Sequence, residues 1–250
     1  MLGSKNNNKP NYIYYIVKCQ SICRKWLVSI NNIFALCKKF KTLQVRFVSE
    51  IGGYHMLHKT PIKESVWEEI NCNIVEGVFS ILYESMGSHM SGIDNIFDKA
   101  KMSNKTIKIN KNDCNLSSYR LTNVCNPTNI GNPIDIINEI KERDRSFDYY
   151  SILIRDEKKN SLIEYMWYII PKDYYIFKIG KLTEKIGKIK QNKGKIIGWE
   201  SKNCDITFSM SSQLWYKFNI KDIEKYKVCD SVLNNNTHKF KYYEIYNNFL

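Results

Sequence analysis

The sequence has no apolar run long enough to cross a lipid bilayer. Its longest apolar stretches near the start are YIYYIV at residues 12–17 and WLVSINNIFALC at residues 26–37. Both fall short of the roughly 20 apolar residues that a transmembrane helix needs. The second stretch also begins too far into the chain for a cleaved secretory signal. We therefore expect no membrane association, and no internal repeat is visible.

Cysteine and histidine ligands at zinc spacing are also missing. Only Cys19 and Cys23 lie close together, and no second pair accompanies them. The eight cysteines stand at positions 19, 23, 37, 72, 114, 125, 204 and 229. The four histidines, at positions 55, 58, 89 and 238, lack such spacing as well. We predict free thiols in a reducing intracellular compartment, the cytoplasm, with an organelle or a virion as alternatives.

Acidic residues are nearly absent from the first 55 positions. This segment has nine Lys and Arg against the single acid Glu50, whereas the remainder has 29 basic and 24 acidic residues. Three interpretations of the segment stay open: an arm that contacts nucleic acid, an organelle-targeting segment, or an extension upstream of an older start at Met56. We divide the chain into this basic extension, residues 1–55, which need not belong to the core, and one domain, residues 56–250.

The composition is that of a globular protein. The chain has 250 residues, of which 43% are hydrophobic and 13% aromatic, enough to bury a sizeable core. Its net charge of +13 favours a polyanionic partner such as nucleic acid or an acidic membrane surface. Tyr and Asn are abundant, as expected of an AT-rich genome, so their abundance by itself indicates no function.

Helical spacing of apolar residues marks the stretch TPIKESVWEEINCNIVEGVFSILYE, which begins at Thr60. Thr60 is a candidate N-cap and Pro61 suits the first helical position, so we predict one long helix over residues 61–84. Pro133 opens a second predicted helix with the sequence PIDIINEIKERDR.

Short extended runs separated by turn-like spacers predict strands. The first three, at 93–97, 102–109 and 114–121, read as an antiparallel meander. Strands of strong β composition follow at 149–155 and 165–171, and a strand or hairpin at 205–218. Together with the two helices, these elements predict an α/β fold in which helices flank a mixed β-sheet.

Asp94 and Lys105 fall on two successive predicted strands joined by a short turn. Residues so placed meet across an antiparallel pair, and Ser103 leaves the same face as Lys105 because it lies two residues away. Glu69, or its neighbour Glu68, lies on the preceding helix. Metal-dependent phosphodiester cleavage needs carboxylates that hold Mg²⁺ and a cation beside the phosphate. Taken singly, each residue also has an ordinary structural explanation, such as a turn-forming aspartate.

These residues carry a resemblance to a known family. The pattern GSHMSGID, SNKT and LSSYRLT, with WEEI upstream and SMSSQLWYKF downstream, resembles the type II restriction endonucleases of the PD-(D/E)xK nuclease fold over roughly residues 58–218. The resemblance implies a restriction-endonuclease-like core. It also implies that Asp94 and Glu69 bind the metal and that Lys105 stabilises the pentavalent phosphate and helps to deprotonate water. Ser103 replaces the acid usual two residues before the lysine, which leaves the number of metal ions open.

The same resemblance implies a Mg²⁺-dependent, site-specific double-stranded DNA endonuclease of a restriction–modification system. A palindromic site would be matched by a homodimer. The alternative is a non-catalytic DNA-binding protein derived from a nuclease fold, which the serine at position 103 favours. A nuclease acting on RNA or on DNA structure is a third possibility.

Candidate DNA contacts follow from side-chain chemistry. In a nuclease, Ser117, Ser118 and Arg120 would contact phosphate, while Gln213 would read adenine beside Ser211 and Ser212, with Trp215 as an aromatic anchor. The alternative for both stretches is an ordinary polar strand at the surface of a sheet. His89 is either a loop residue or a phosphate contact. A basic run is expected to track phosphates or to form a solvated face; it comprises Lys178, Lys181, Lys185, Lys188 and Lys190.

Overall fold

The computed structural model describes residues 33–79, 81–82, 93–158, 162–189 and 192–234. The helices are α1 (Ile33–Leu57), α2 (Glu64–Val75), α3 (Pro133–Asp144) and the single turn α4 (Ile220–Ile223). The strands are β1 (Ile81–Leu82), β2 (Asn95–Phe97), β3 (Ala100–Lys108), β4 (Asp113–Arg120), β5 (Tyr149–Glu157), β6 (Leu162–Pro171), β7 (Thr183–Ile186), β8 (Ile196–Glu200), β9 (Cys204–Thr207), β10 (Gln213–Asn219) and β11 (Lys227–Asn234). Short 3₁₀ turns lie at Tyr175–Phe177, Phe208–Met210 and Glu224–Tyr226.

The strands form two sheets. Sheet 1 has the order β1-β2-β3-β5-β6-β11, and in it β3 and β5 run parallel while the other neighbours run antiparallel. Sheet 2 has the order β4-β10-β9-β8-β7 and is antiparallel throughout. The predicted α/β class with a mixed sheet and flanking helices is confirmed, and the second sheet is an addition to it.

Both faces of sheet 1 are covered, which explains the composition of its central strands. Helices α1 and α2 pack on one face, against residues such as Leu153 and Trp167. Sheet 2 and α3 pack on the other face, against residues such as Ile152 and Ile170. A strand buried on both sides needs apolar residues at nearly every position, and the YYSILI and YMWYII runs supply them.

Helix α3 begins and ends close to where the sequence predicts. The side chain of Asn132 accepts a hydrogen bond from the backbone N–H of Ile134 at 2.8 Å, and Pro133 occupies the first turn. An N-cap asparagine followed by proline is a strong helix start, because it satisfies one orphan N–H and fixes φ. The predicted helix at Pro133 and the predicted strands at 149–155 and 165–171 are confirmed.

The helix predicted over residues 61–84 is shorter than expected. It spans Glu64–Val75. The chain before Glu64 is extended, with Ile62 buried in the core and its N–H donating to the hydroxyl of Tyr165. Lys63 is the N-cap residue, so Thr60 does not cap this helix. At the other end Gly77 adopts a φ of +71°, the left-handed conformation that ends helices. Strand β1 then begins at Ile81, inside the predicted helix.

The predicted three-stranded meander is only partly correct. Strands β2 and β3 do form an antiparallel pair, but β4 leaves sheet 1 and pairs with β10 in sheet 2. The place beside β3 is taken by β5, which returns in parallel after α3. The alternation in β4, with Cys114 and Leu116 buried, suits either sheet equally, so the sequence pattern did not distinguish them.

Helix α1 joins the predicted N-terminal extension to the core. Leu43, Phe47 and Ile51 are buried and belong to the same hydrophobic cluster as Trp67 and Trp167. Phe47 stacks on Trp167 with ring centroids 6.4 Å apart and meets Trp67 edge to face at 6.3 Å. A division of the chain at residue 55 therefore falls within a helix whose residues Leu43, Phe47 and Ile51 belong to the core.

The described part of the chain contains no helix that is long and apolar enough to cross a membrane. Five cysteines with described side chains are buried free thiols, namely Cys72, Cys114, Cys125, Cys204 and Cys229. The compartment stays a prediction.

A buried carboxylate ties three strands of sheet 2 together. Asp205 on β9 accepts hydrogen bonds from Lys185 on β7 and, at 2.6 Å, from Lys217 on β10. Burial by itself would raise the pKa of Asp205, but the hydrogen bonds and charges of the two lysines outweigh it and lower the pKa.

We expect Phe47→Ala to lower the free energy of unfolding by about 3–5 kcal/mol, because it empties a site between two tryptophans. Urea denaturation followed by tryptophan fluorescence measures this change. Val45→Ala, on the exposed side of the same helix with 63% of Val45 exposed, should change stability by no more than about 0.5 kcal/mol. Equal effects of the two substitutions would contradict the placement of α1 in the core.

We expect Asp205→Asn to lower the free energy of unfolding by about 1–2 kcal/mol at neutral pH, a modest value because both lysines can turn toward water. A carboxyl whose folded-state pKa is lowered stabilises above its unfolded pKa, and this contribution is lost as pH falls through the folded pKa. The difference between wild type and Asp205→Asn should therefore vanish on acidification. Urea denaturation at a series of pH values tests this, and a difference independent of pH would contradict it.

Candidate active site

The predicted residues Asp94 and Lys105 lie close together where strand β2 begins beside β3. The ladder between β2 and β3 stops at the pair Asn95 and Met102, and one further backbone bond joins the Asp94 N–H to the Met102 carbonyl at 2.8 Å. Beyond this point β3 has no described strand on that edge. Asp94 and Lys105 lie at this open edge, as the antiparallel pairing of the two predicted strands requires.

Asp94 is held by the strand that carries the lysine. One of its carboxylate oxygens accepts the backbone N–H of Asn104 at 2.5 Å and lies 3.4 Å from the hydroxyl of Ser103. Burial raises the pKa of Asp94, although the charge of Lys105 and these two hydrogen bonds act in the opposite direction. Ser103 therefore binds the candidate metal ligand instead of supplying a second acid.

Lys105 is held at two points. Its Nζ donates to Glu64 Oε1 at 2.7 Å and to the backbone carbonyl of Asn104 at 2.7 Å. Ser103 and Lys105 leave the strand on the face opposite to Asn104, so the lysine side chain bends around the open edge of β3 to reach helix α2. An ammonium group has three donors, and one donor therefore stays available for another acceptor.

The helix carboxylates at this site are Glu64 and Glu68. They are four residues apart and share one face of α2, whereas Glu69 lies about 100° further round the helix and is exposed. Burial, together with the charges of Asp94 and Glu64, raises the pKa of Glu68 to about 7, although Lys105 acts against this rise. Of the two neighbours considered for the helix carboxylate, Glu68 and not Glu69 is near Asp94.

Glu64 was not anticipated from the sequence. A signal for it does exist: two glutamates four residues apart repel each other on a helix, and the pair is continued along the same face by the polar residue Asn71. A polar stripe of this kind, beside the buried Trp67 and Ile70, marks a helix face that meets something other than a plain apolar core.

A divalent cation fits the charge at this site. Glu64, Glu68 and Asp94 oppose one ammonium, Lys105, so two negative charges remain when all four groups are ionised. The pKa of Glu68 is raised mainly by burial, and the charges of Asp94 and Glu64 add to this rise. Among the described residues no three His, Cys, Asp or Glu side chains converge as a complete metal-binding group. Mg²⁺ commonly uses only one or two carboxylates and takes its other ligands from water and substrate phosphate.

The predicted DNA contacts separate into two groups. Gln213 lies directly opposite Arg120, and Trp215 lies opposite Ser117, on the face of sheet 2 that points away from sheet 1. Trp215 is half-buried and belongs to neither hydrophobic cluster. Lys217 and Thr207 lie on the same face. We call the face formed by Ser117, Arg120, Thr207, Gln213, Trp215 and Lys217 the outer face of sheet 2.

The remaining predicted contacts face elsewhere. Ser118 points between the sheets, where its hydroxyl lies 3.1 Å from the hydroxyl of Tyr150. Ser212 is fully buried, and its backbone carbonyl accepts the N–H of Leu121 at 3.0 Å. Ser211 is exposed in the turn before β10, where both serines have positive φ. Neither Ser118 nor Ser212 can therefore reach DNA without a local rearrangement.

The basic run is spread over several elements. Lys185 is engaged with Asp205, whereas Lys178, Lys181 and Lys188 are exposed or partly exposed. Lys190 and His89 lie outside the described residues, as does the segment GSHM at residues 87–90.

Three comparisons with known proteins give no relative for this chain. No protein-family model matches it, and neither the curated proteins nor the solved structures contain a match.

Proposed function

We propose that this protein is a Mg²⁺-dependent endonuclease that hydrolyses phosphodiester bonds in double-stranded DNA at specific sites. The observation that carries the proposal is the meeting of Asp94, Glu68 and Lys105 at the open edge of β3. An acidic pair beside a lysine, on rigid elements and next to an unobstructed strand edge, has the chemistry that phosphate hydrolysis requires.

The order of the parts supports the resemblance to the PD-(D/E)xK nucleases. A helix with a carboxylate precedes a strand that starts after Asp94, and a short turn leads to the strand with Lys105. This is the order in which the resemblance assigns the helix acid, the metal-binding aspartate and the catalytic lysine. We accordingly propose a restriction-endonuclease-like core for α2, β2, β3, α3 and β5, with Glu68 in the role first given to Glu69.

Asp94 and Glu68 are the residues that would hold Mg²⁺. When bound, the ion would polarise the scissile phosphate and lower the pKa of an attacking water. Asp94 is pre-positioned for this role, because the Asn104 N–H and the Ser103 hydroxyl hold its carboxylate. The serine at position 103 thus orients a metal ligand, and two carboxylates with substrate and water oxygens suffice for one Mg²⁺.

Lys105 would stabilise the negative charge that develops on the phosphate. Two of its three donors are bound to Glu64 and to the Asn104 carbonyl, which fixes the ammonium and leaves the third donor for a phosphate oxygen. A charge held before the substrate arrives needs little reorganisation during the reaction, and this is the most effective form of electrostatic stabilisation.

The outer face of sheet 2 would make the DNA contacts. Arg120 offers positive charge to phosphates, and Gln213 offers paired donor and acceptor groups that match adenine in the major groove. Trp215 lies beside Gln213 on the same face as a half-buried aromatic side chain. A homodimer would present two such faces to a palindromic site.

A second candidate is a non-catalytic DNA-binding protein with the same face. Ser103, which stands where the resemblance expects an acid, favours it. Binding without cleavage, unaffected by loss of Asp94, would identify it.

We expect purified protein to cut plasmid DNA into discrete fragments in the presence of Mg²⁺. Lys105→Ala should lower the cleavage rate by about 10²–10³-fold, and Asp94→Asn and Glu68→Gln should each abolish Mg²⁺-dependent cleavage. Gel analysis and sequencing of the fragment ends report site, symmetry and stagger together. The matched control is Glu69→Gln, which removes an adjacent exposed carboxylate and should cut like wild type.

Equal loss in Glu68→Gln and Glu69→Gln would argue against the assignment of Glu68. Retained cleavage in Asp94→Asn would show that this site is not the active site. A panel of single-stranded DNA, branched DNA and RNA separates a site-specific enzyme from one that selects structure or RNA.

We expect Gln213→Ala to lose about 1–3 kcal/mol of discrimination at one base position while cleavage of the best site still requires Mg²⁺. Competition between cognate and single-mismatch duplexes measures this loss. Ser118→Ala is the control, because its hydroxyl points between the sheets and should leave fidelity unchanged. Unchanged fidelity in Gln213→Ala would place base recognition outside sheet 2.

A further inference from the structure

Three asparagines are buried side by side beneath the candidate active site. Asn71 on α2 and Asn104 on β3 are each 0% exposed, and Asn95 on β2 is 2% exposed. Asn71 Nδ2 donates to Asn104 Oδ1 at 2.8 Å, and Asn104 Nδ2 donates to Asn95 Oδ1. We call these three residues the amide clamp. It joins the three elements that carry Glu68, Asp94 and Lys105.

The amide clamp is anchored in the centre of sheet 1. Asn71 Nδ2 also donates to the hydroxyl of Ser151 on β5 at 2.7 Å, and the same hydroxyl accepts the indole N–H of Trp167 at 3.0 Å. At its other end, Asn95 Nδ2 donates to the thiol of Cys72 at 2.8 Å. Each clamp residue therefore has a partner on a neighbouring element.

Asn104 links this network directly to both site residues. Its backbone N–H binds the carboxylate of Asp94, and its backbone carbonyl binds Nζ of Lys105. The side chain of Asn104 lies on the face of β3 opposite to the side chains of Ser103 and Lys105, where it is hydrogen-bonded to Asn71 and Asn95. One peptide segment thus sets the separation of the carboxylate and the ammonium, and the clamp sets the position of that segment.

The clamp lies where the backbone ladder fails. Strand β2 begins at Asn95, so beyond Met102 this edge of β3 has no described strand to pair with. On its other side this stretch pairs with β5, which sets its register. Along the open edge, the side-chain bonds of Asn104 to Asn71 and Asn95 take the place of a backbone ladder.

Apolar residues at these three positions would carry no desolvation penalty. A buried amide is costly unless its groups are hydrogen-bonded, and in the described part of the structure Asn71 Oδ1 has no partner. A connected polar network instead specifies one geometry, because each alternative leaves groups unpaired. Such a network is expected where the precise placement of side chains matters more than the free energy of unfolding.

We propose that the amide clamp is the positioning device of this site: through Asn104 it fixes Asp94 and Lys105 relative to each other. Its catalytic consequence rests on the proposed function, but its structural content does not. Asn71, Asn95 and Asn104 are positioning residues, since no side chain of the clamp faces the substrate side of β3.

Nuclear magnetic resonance of the full-length protein tests the structural content without any catalysis. The amide proton of Asn104 is donated to a carboxylate and should resonate downfield of an ordinary amide proton. Asn71→Leu and Asn95→Leu each remove one arm of the clamp with little change of shape. Both should move this signal upfield, because the segment no longer holds Asp94 at the same distance.

The matched control is Tyr165→Phe, which removes two buried hydrogen bonds in the same hydrophobic cluster but outside the clamp, one with His55 Nε2 and one from the Ile62 N–H. It should leave the Asn104 signal in place. An unmoved signal in both leucine variants, or an equal shift in Tyr165→Phe, would overturn the proposal. Two leucine variants are used so that one remains if the other fails to fold.

The catalytic consequence is measured separately. Asn71→Leu should lower kcat by about 10–100-fold with an unchanged KM for DNA, as removal of a supporting residue at a metal site does. Tyr165→Phe should lower neither. A fall of kcat in the same proportion in both variants would indicate a general loss of stability and overturn the positioning role. If wild type does not cut DNA, the proposed function fails while the Asn104 signal still decides the clamp.

Discussion

The hydrogen bonds of one peptide segment, at Asn104, determine the candidate site. Its N–H binds Asp94 and its carbonyl binds Lys105, so the two functional groups share a common support. This support exists because strand β2 is short. Had β2 continued past Asn95 as a regular strand, its backbone would have paired with β3, and neither group of Asn104 would have been available for a side chain.

The fold around this segment is built to keep it rigid. Sheet 1 is buried on both faces, with α1 and α2 on one side and sheet 2 with α3 on the other. Strand β3 is held along its full length on the side of β5, from Met102 to Lys108. On its other edge, β3 pairs through its backbone with β2 up to Met102. Beyond that residue, the backbone of β3 bonds to side chains instead. A rigid strand with one open edge can present backbone and side-chain groups to a ligand without strain.

The electrostatics of the site follow from the same arrangement. Glu68 lies near Asp94 and Glu64 binds Lys105, because α2 packs across β2 and β3. Burial and mutual repulsion then raise the pKa of Glu68 to about 7, and burial raises that of Asp94. In sheet 2 the reverse holds: Asp205 is matched by two lysines, its pKa is lowered, and the charge is structural.

Sequence reasoning reached the main elements and the pair at the centre of the site. Asp94 and Lys105 were located because antiparallel strands joined by a short turn bring such residues together whatever the rest of the fold does. The helix carboxylate was ambiguous, since Glu68 and Glu69 are adjacent and their facing depends on how α2 packs. The asparagines were overlooked because their abundance in the whole chain has a compositional explanation.

Local patterns determined this much by themselves: the strands β2, β3, β5 and β6, the start of α3 at Pro133, and the meeting of Asp94 with Lys105. Each depends on interactions between residues close in sequence, or on an apolar period that one element carries alone. Only the tertiary structure decided the burial of α1, the transfer of β4 to a second sheet, the choice of Glu68 and the clamp of Asn71, Asn95 and Asn104. These depend on which faces of distant elements pack together, and an alternating or helical pattern is compatible with more than one such partner.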